Sequence, residues 1–153
     1  MASIDTSIDI DAPPQRVWDA LLDFGSYGEW NEFLHHLDGE PRVGERLTMR
    51  LTPPDGMAMT FKPTVKNCDE PTLFSWQGRL LVRGLFDGEH IFELQPIGDD
   101  RVRFIHRENF SGVLVPLMRL IGVLRKTRPG FIMMNEALKA RMEGSTDGAA
   151  RGA

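Results

Sequence analysis

Hydrophobic residues repeat at two different intervals in this chain, and the change between them constrains the fold more than any other feature. Across residues 4–10 they alternate with polar residues, as Ile4, Ile8 and Ile10 do. Such a period of two is typical of a half-buried β-strand. From about residue 113 to 143 the spacing becomes helical. Because antiparallel strands cannot bury their apolar face alone, this order predicts an α+β domain whose long C-terminal helix covers a sheet.

Between the first strand and the last helix, the patterning predicts two short helices and a series of strands. Pro13 and Pro14 stop the first strand, and residues 14–23 then repeat their apolar residues at helical spacing. A second helical turn is predicted at 26–31. Pro63 indicates a bulge or a sheet edge within one of the strands that follow. These further strands are predicted at 33–37, 47–51, 57–65, 73–77, 89–96 and 101–110.

The C-terminal helix has two irregular features. Pro129-Gly130 interrupts its apolar stripe, which predicts a kink there or two helices end to end. Residues 114–124 carry only one charge, Arg119, and are apolar nearly all round. That segment is therefore buried on both sides, lines a ligand entrance, or meets a partner such as a second copy of the chain in a homodimer.

Length and composition indicate one globular domain. The chain has 153 residues, of which 41% are hydrophobic and 26% charged, which is ordinary for a packed core of this size. Residues 1–143 are expected to form this single domain. The last ten or so residues, 144–153, are small and polar, so we expect a disordered tail there.

Charge and cysteine content argue against several classes of function. The net charge is −4 and the pI about 5.5, whereas a nucleic-acid-binding protein usually carries a basic face. Cys68 is the single cysteine, so neither an intramolecular disulfide nor a cysteine-based metal site is expected. The first residues lack the basic start and apolar run of a signal peptide, and no window resembles a membrane span. A cytoplasmic location is the default expectation.

Several short segments resemble the Bet v 1-like, or START-like, superfamily, also called the SRPBCC or polyketide cyclase/dehydrase group. The similarity covers about residues 4–143. It implies a helix-grip fold, in which a curved seven-stranded antiparallel sheet surrounds the last helix with a cavity between them. This superfamily includes binding proteins, lipid carriers and aromatase/cyclases, and it has no fixed catalytic motif. The segments concerned are IDIDAPPQRVWDAL (8–21), YGEWN (27–31), PRVGE (41–45), FDGEH (86–90) and ENFSG (108–112).

Three residues able to carry chemistry fall on the predicted final hairpin. If Phe92 and Phe104 face the core, then His90, His106 and Glu108 face it too, because side chains alternate along a strand. The register decides whether His106 or Glu108 lies directly opposite His90. A carboxylate beside an imidazole could be an acid–base pair or merely a self-neutralising buried pair. Nothing in the spacing demands a metal, and no metal is expected.

These observations leave three hypotheses for function. The first is a binding or carrier protein for an apolar small molecule held between the sheet and the last helix. The second is a cofactor-free cyclase, dehydratase or isomerase in which His90 or Glu108 moves protons. The third is a protein-interaction module that uses residues 114–124 and has no ligand. The predicted ligand-binding residues are Phe61, Phe74, Trp76, His90, Phe92, Phe104, Glu108, Leu117, Ile121, Phe131 and Met134.

Overall fold

The computed structural model describes residues 2–80 and 82–152, with side chains for 2–79 and 82–144. It shows an α+β fold of antiparallel strands and a long C-terminal helix, as the sequence predicts. The strands are β1 (Ala2–Ile10), β2 (Leu34–Asp38), β3 (Thr48–Leu51), β4 (Met59–Phe61), β5 (Thr64–Asp69), β6 (Leu73–Leu80), β7 (Phe86–Gly98) and β8 (Arg101–Ser111). The α-helices are α1 (Pro14–Leu22), α2 (Tyr27–Trp30), α3 (Val115–Leu120) and α4 (Val123–Gly152).

The two short helices predicted after the first strand are confirmed. Pro14 occupies the first turn of α1, where its missing N–H costs no hydrogen bond. The helix buries Val17, Trp18 and Leu21 on one face. A short 3₁₀ turn, Phe24–Ser26, then leads into α2, whose Tyr27 is fully buried.

The prediction of a single seven-stranded sheet is wrong, because the strands form two separate sheets. Five strands pair in the order β1-β8-β7-β6-β5, and the other three in the order β2-β3-β4. The predicted strand 57–65 divides at Pro63, which has no N–H to donate, into β4 and β5. A short connection links the two sheets, where the Leu47 N–H donates to the Pro63 carbonyl at 2.8 Å and Arg46 forms an isolated bridge with Thr64.

The C-terminal helix is also divided, but not at the predicted place. It breaks at Ile121–Gly122, where Gly122 adopts a φ of 78° that other residues rarely accept, and Pro129 lies inside α4. Within the described residues, no helix is both long and apolar enough to cross a membrane. Side chains beyond residue 144 lie outside the described residues, so the disordered tail stays a prediction, although α4 includes that backbone.

Helix α4 covers one face of the five-stranded sheet, called here the inner face. Phe131, Met134 and Leu138 recur at helical spacing and are almost completely buried. Opposite them lie side chains from alternate positions of the sheet strands, including Phe92 and Phe104. The core of the molecule is this layer between helix and sheet.

Candidate functional site

The strand register brings the three predicted polar residues together on the inner face. In β7 and β8, His90 pairs directly with Glu108, and Phe92 pairs with His106. His90 and His106 are 4% and 0% exposed, whereas Glu108 keeps about a fifth of its side chain exposed. The alternation of the two strands therefore places all three side chains inside, together with the aromatic residues.

A chain of hydrogen bonds links these residues to α4 and β1. The Nε2 atoms of His90 and His106 lie 2.7 Å apart, and His106 Nδ1 lies 2.8 Å from Asn135 Oδ1. Asn135 Nδ2 donates to the Thr6 hydroxyl at 2.9 Å, and that hydroxyl donates to the His106 carbonyl at 2.7 Å. Thr6 and Asn135 are both buried. These contacts therefore form a continuous polar chain through an otherwise apolar core.

The polar chain has a single direction. The Thr6 hydroxyl gives its one hydrogen to a carbonyl, so it must accept from Asn135 Nδ2. Asn135 Oδ1 then accepts from the Nδ1–H of His106, which leaves His106 Nε2 as an acceptor. His90 must consequently donate its Nε2–H to His106. Each hydrogen bond thus fixes the protonated nitrogen of the next residue.

Glu108 stands at the more exposed end of this chain. Its Oε2 lies 3.7 Å from Nδ1 of His90, the nitrogen that His106 does not use. At this separation the two groups are not hydrogen-bonded to each other, but the carboxylate faces the imidazole near the boundary between core and solvent.

Aromatic rings enclose the two imidazoles. Trp76 stacks on His90 with ring centroids 4.7 Å apart, and Phe131 stacks on His106 at 4.1 Å. Burial lowers the pKa of His106 well below its ordinary value, and the charge of His90 lowers it further, while hydrogen bonds to the Asn135 side chain and with the Phe131 backbone only partly oppose this. His106 is therefore a neutral imidazole that accepts from His90 and donates to Asn135.

The two imidazole nitrogens lie closer together than two ligands of one zinc ion would. Two nitrogens bound to one zinc ion at about 2.0–2.1 Å would be separated by about 3.3 Å, more than the 2.7 Å observed. Among the side chains that the structure describes, no group of three or more His, Cys, Asp or Glu is arranged to hold a metal ion.

Beside the histidines, the inner face carries two glycines in register. Gly78 of β6 pairs with Gly88 of β7, next to the pair Trp76 and His90. A Cβ atom built on Gly78 would only reach ordinary van der Waals contact, at 3.9 Å from the Gly88 carbonyl oxygen, so a small side chain there would not clash. A Cβ on Gly88 would instead collide with Oε1 of Glu108, at 2.5 Å. This pair, called here the glycine row, leaves two neighbouring positions of the inner face without side chains, with the Glu108 carboxylate beside Gly88.

The structure brings together most of the predicted ligand-binding residues, but as a packed cluster. Phe74, Trp76, Phe92, Phe104, Phe131 and Met134 are all at most 1% exposed, and neighbouring rings contact each other at centroid distances such as 5.3 Å for Trp76–Phe92. Phe61 is partly buried at the edge of this core. Leu117 and Ile121 of the α3 segment are 48% and 53% exposed and are not brought into the cluster.

Comparison with known proteins places the chain in a family. Residues 1–151 match the model of the family described as polyketide cyclase/dehydrase and lipid transport. The chain belongs to this family. The family description covers both catalysis and transport, so membership suggests ligand binding or a cyclase- or dehydrase-like reaction without deciding between them.

Solved structures of low sequence identity show the same fold. A START superfamily protein from Mycobacterium smegmatis has a TM-score of 0.73 at 16% identity, over 93% of this chain and 97% of that chain. The Zhui aromatase/cyclase from Streptomyces sp. R1128 has a TM-score of 0.75 at 10% identity, over 93% of both chains. A protein from Mesorhizobium loti is 22% identical, with a TM-score of 0.66 over 92% and 98%. None of the curated proteins matches the sequence.

The sequence does not predict Thr6, Asn135 or the glycine row as parts of the site. Thr6 occupies an inward position in β1 between Ile4 and Ile8, and Asn135 lies on the buried face of α4 beside Met134. A polar residue at an apolar position of a periodic pattern was the available signal, since buried polar groups need partners. The glycine row gave a weaker signal, because its two members become neighbours only once the register is known.

Proposed function

We propose that this chain binds an apolar small molecule on the inner face of the five-stranded sheet, over the glycine row. The observation that carries the proposal is the register of Gly78 and Gly88 beside Trp76 and His90. Glycine within a strand adds nothing to packing and often marks the place where another molecule approaches the backbone. Family membership supports the proposal, since the family description includes lipid transport.

Glu108 and His90 are the proposed contacts for a polar group of the ligand. Glu108 lies over Gly88 and remains partly exposed, so its carboxylate can meet a hydroxyl or carbonyl group that lies over the glycine row. His90 holds the second position and is itself fixed by His106. An apolar pocket with a few fixed polar groups is the usual composition of a small-molecule site.

Helix α3 is the element that would move to admit a larger ligand. Its ends adjoin Gly112 and Gly122, whose φ angles of 117° and 78° few other residues adopt. The segment is held to the loop before β7 by two backbone hydrogen bonds, from Val113 to Gly84 and from Leu114 to Leu85. Short segments between two such glycines can change direction without disturbing the core.

The test uses a valine placed in the glycine row. Gly78→Val should cover the glycine row with a side chain, and because the added Cβ makes no contact shorter than 3.9 Å and valine suits a strand better than glycine, the fold should be retained. We expect the wild-type protein to enhance the fluorescence of an anilinonaphthalene sulfonate probe and the variant to lose most of this enhancement. Gly98→Val, at the far end of β7 where the nearest atom is 3.7 Å away, is the matched control and should bind as the wild type does.

Two outcomes would contradict the proposal. One is unchanged probe binding by a folded Gly78→Val protein, which would place the ligand elsewhere. The other is an absence of binding by the wild-type protein to this probe and to a set of acyl and ring-containing ligands. In that case the interaction module without a ligand would be the remaining hypothesis.

A cyclase- or dehydratase-type activity is the second candidate, and the directed polar chain favours it. His106 and Asn135 fix the orientation of His90, as a positioned proton donor or acceptor requires. The comparison is between His90→Gln and Glu108→Gln, each assayed for folding, ligand affinity and turnover of any substrate found. Loss of turnover with retained affinity would support the enzyme, whereas loss of affinity alone would support the carrier.

A further inference from the structure

The α3 end of the molecule exposes a group of large aliphatic side chains. We define the tip as residues 82–85 and 112–122, two segments joined by the hydrogen bonds from Val113 to Gly84 and from Leu114 to Leu85. Monomeric proteins rarely expose a contiguous apolar surface without a use for it. The exposed fractions are 63% for Val82, 75% for Val113, 48% for Leu117, 81% for Leu120 and 53% for Ile121.

The sequence segments that contain and flank the tip are rich in basic residues. Sequence segments 78–86 and 112–135 contain no Asp or Glu and hold six of the 18 Lys and Arg residues. The rest of the chain therefore has 12 basic residues against all 22 acidic ones. These two segments therefore carry a formal charge of +6, and the rest of the chain carries −10. The basic residues are Arg79, Arg83, Arg119, Arg125, Lys126 and Arg128, all of them exposed.

A basic groove continues from the tip onto the outer face of the sheet. It has a volume of about 410 Å³ and is lined by Lys66, Arg79 and Arg83, together with Gln77, Asp87 and Ser111. Asp87 uses one carboxylate oxygen to accept from the Gly84 N–H at 3.0 Å, and Lys66 pairs with Glu89. Arg79 and Arg83 can therefore face an anionic group placed beside the apolar tip.

We propose that the tip docks on the surface of a membrane that contains anionic lipids. Its aliphatic side chains would enter the boundary between headgroups and acyl chains, while the surrounding Arg and Lys side chains contact lipid phosphates. The combination of exposed aliphatic residues and a basic surround fits this occupant. The proposal goes beyond ligand binding, but it places the docked surface at α3, the element proposed to move when a ligand enters.

The charge division argues against a second copy of the chain as the occupant. In a two-fold dimer the same surface meets itself, so the cations around one tip would face those around the other. An acidic partner protein would satisfy the charges, but it would not require so many exposed aliphatic side chains among them. Both alternatives become outcomes of the experiment.

The test is sedimentation of the full chain with lipid vesicles. We expect binding to vesicles of equimolar phosphatidylcholine and phosphatidylglycerol, little binding to pure phosphatidylcholine, and weakening as salt is added, because screening reduces the attraction. Each basic residue near the surface contributes about fivefold in affinity, so the double variant Arg119→Gln, Arg125→Gln should bind about 25-fold more weakly.

Two single substitutions test whether vesicle binding depends on the tip or on the rest of the surface. Leu120→Asp changes a side chain that is 81% exposed, so thermal stability should be retained while vesicle binding is lost. Val43→Asp, at 60% exposure outside the tip, is the matched control and should bind normally. Gly78→Val should also bind vesicles normally, so failure of the ligand proposal and failure of this one are distinguishable.

Several results would overturn the docking proposal. One is that the wild-type protein does not bind the anionic vesicles. Another is that the wild type and Leu120→Asp bind them equally well. A dimer in solution that Leu120→Asp dissociates, without any vesicle binding, would instead identify a second copy as the occupant. Retention on an acidic protein surface without vesicle binding would indicate a protein partner.

Discussion

His90 and His106 share one hydrogen bond, 2.7 Å long between their Nε2 atoms, inside the core. Such a bond needs a hydrogen on one nitrogen and a lone pair on the other. Because Asn135 accepts from the Nδ1–H of His106, the lone pair belongs to His106 Nε2. Protonation of His106 would place two N–H groups against each other, in agreement with the direction in which burial shifts its pKa.

The first prediction concerns stability between about pH 6.5 and 4.5. The unfolded chain protonates His106 near its ordinary pKa of 6.5, whereas the folded protein resists protonation at this site. The unfolded state therefore binds more protons, and the free energy of unfolding falls as the pH falls below 6.5, by at most about 1.4 kcal/mol per pH unit. Asp9 and Glu143, whose pKa values are lowered from 3.8 and 4.5, lose their contributions only at lower pH.

Urea unfolding of the wild type and His106→Gln at a series of pH values measures this effect. The variant should have a shallower dependence over that interval, whatever its absolute stability. Identical slopes for the two proteins would show that His106 is not the group responsible.

The second prediction is that Thr6 and Asn135 act as a unit. Asn135→Leu removes the side-chain acceptor of the His106 N–H, leaving only the contact with the Phe131 backbone, and should lower the free energy of unfolding by about 1–2 kcal/mol. Thr6→Val removes the hydroxyl that bonds to Asn135 Nδ2 and to the His106 carbonyl, and should lower the free energy of unfolding by a similar amount. The double variant should lose about 1 kcal/mol less than the two single losses combined, because both break one network.

An exposed pair provides the control for this cycle. Arg50 Nη1 donates to the Thr60 hydroxyl at 3.1 Å on the surface of the three-stranded sheet, where solvent replaces a lost partner. The coupling energy between Arg50 and Thr60 should therefore be only a few tenths of a kcal/mol. Coupling of equal size in the two pairs would mean that the buried chain has no special cooperativity.

The sequence predicts which residues of the last hairpin face the core, but not how they pair. Alternation places His90 on the same side as Phe92, and His106 and Glu108 on the same side as Phe104, so all three face the core if both phenylalanines do. The register depends on the turn near Gly98, where a bulge shifts the pairing between Pro96 and Gly98. Local patterning does not predict such an irregularity. The sequence therefore leaves open whether His106 or Glu108 lies opposite His90.

The position of the helix break shows a similar limit. Pro129-Gly130 is the stronger local signal for interruption, yet the break occurs at Gly122. Packing accounts for this, because the Phe33 ring lies directly against Gly130 and is tilted against the Phe131 ring, with centroids 5.7 Å apart. A contact between residues so distant in sequence cannot be read from helical periodicity.

The third prediction follows from that contact. Gly130→Ala should destabilise the protein, although alanine favours a helix by about 1 kcal/mol, because the methyl group would overlap the buried Phe33 ring. Gly144→Ala, also in α4 but with nothing within 4 Å of the added carbon, should leave stability unchanged or raise it. Thermal unfolding of the two variants measures the difference, and equal effects would contradict the packing explanation.

The fourth prediction concerns Trp76 as a wall of the ligand site. It stacks on His90, is 1% exposed, and adjoins the glycine row on β6. Removing its ring would leave a cavity that costs about 3–5 kcal/mol, so Trp76→Ala would confuse loss of folding with loss of binding. Its fluorescence provides a better measurement, because the chain has only two other tryptophans, Trp18 and Trp30.

Two variants with a single tryptophan make this measurement specific. A brominated fatty acid quenches indole fluorescence at close contact, so a ligand over the glycine row should quench Trp76 in the double variant Trp18→Phe, Trp30→Phe. The matched protein Trp18→Phe, Trp76→Phe keeps only Trp30, which lies on α2 beside Tyr27, and should be quenched much less. Adding Gly78→Val to the first protein should abolish its quenching, since the valine occupies the space that the acyl chain would fill. Stronger quenching of Trp30 than of Trp76 would place the ligand outside the inner face.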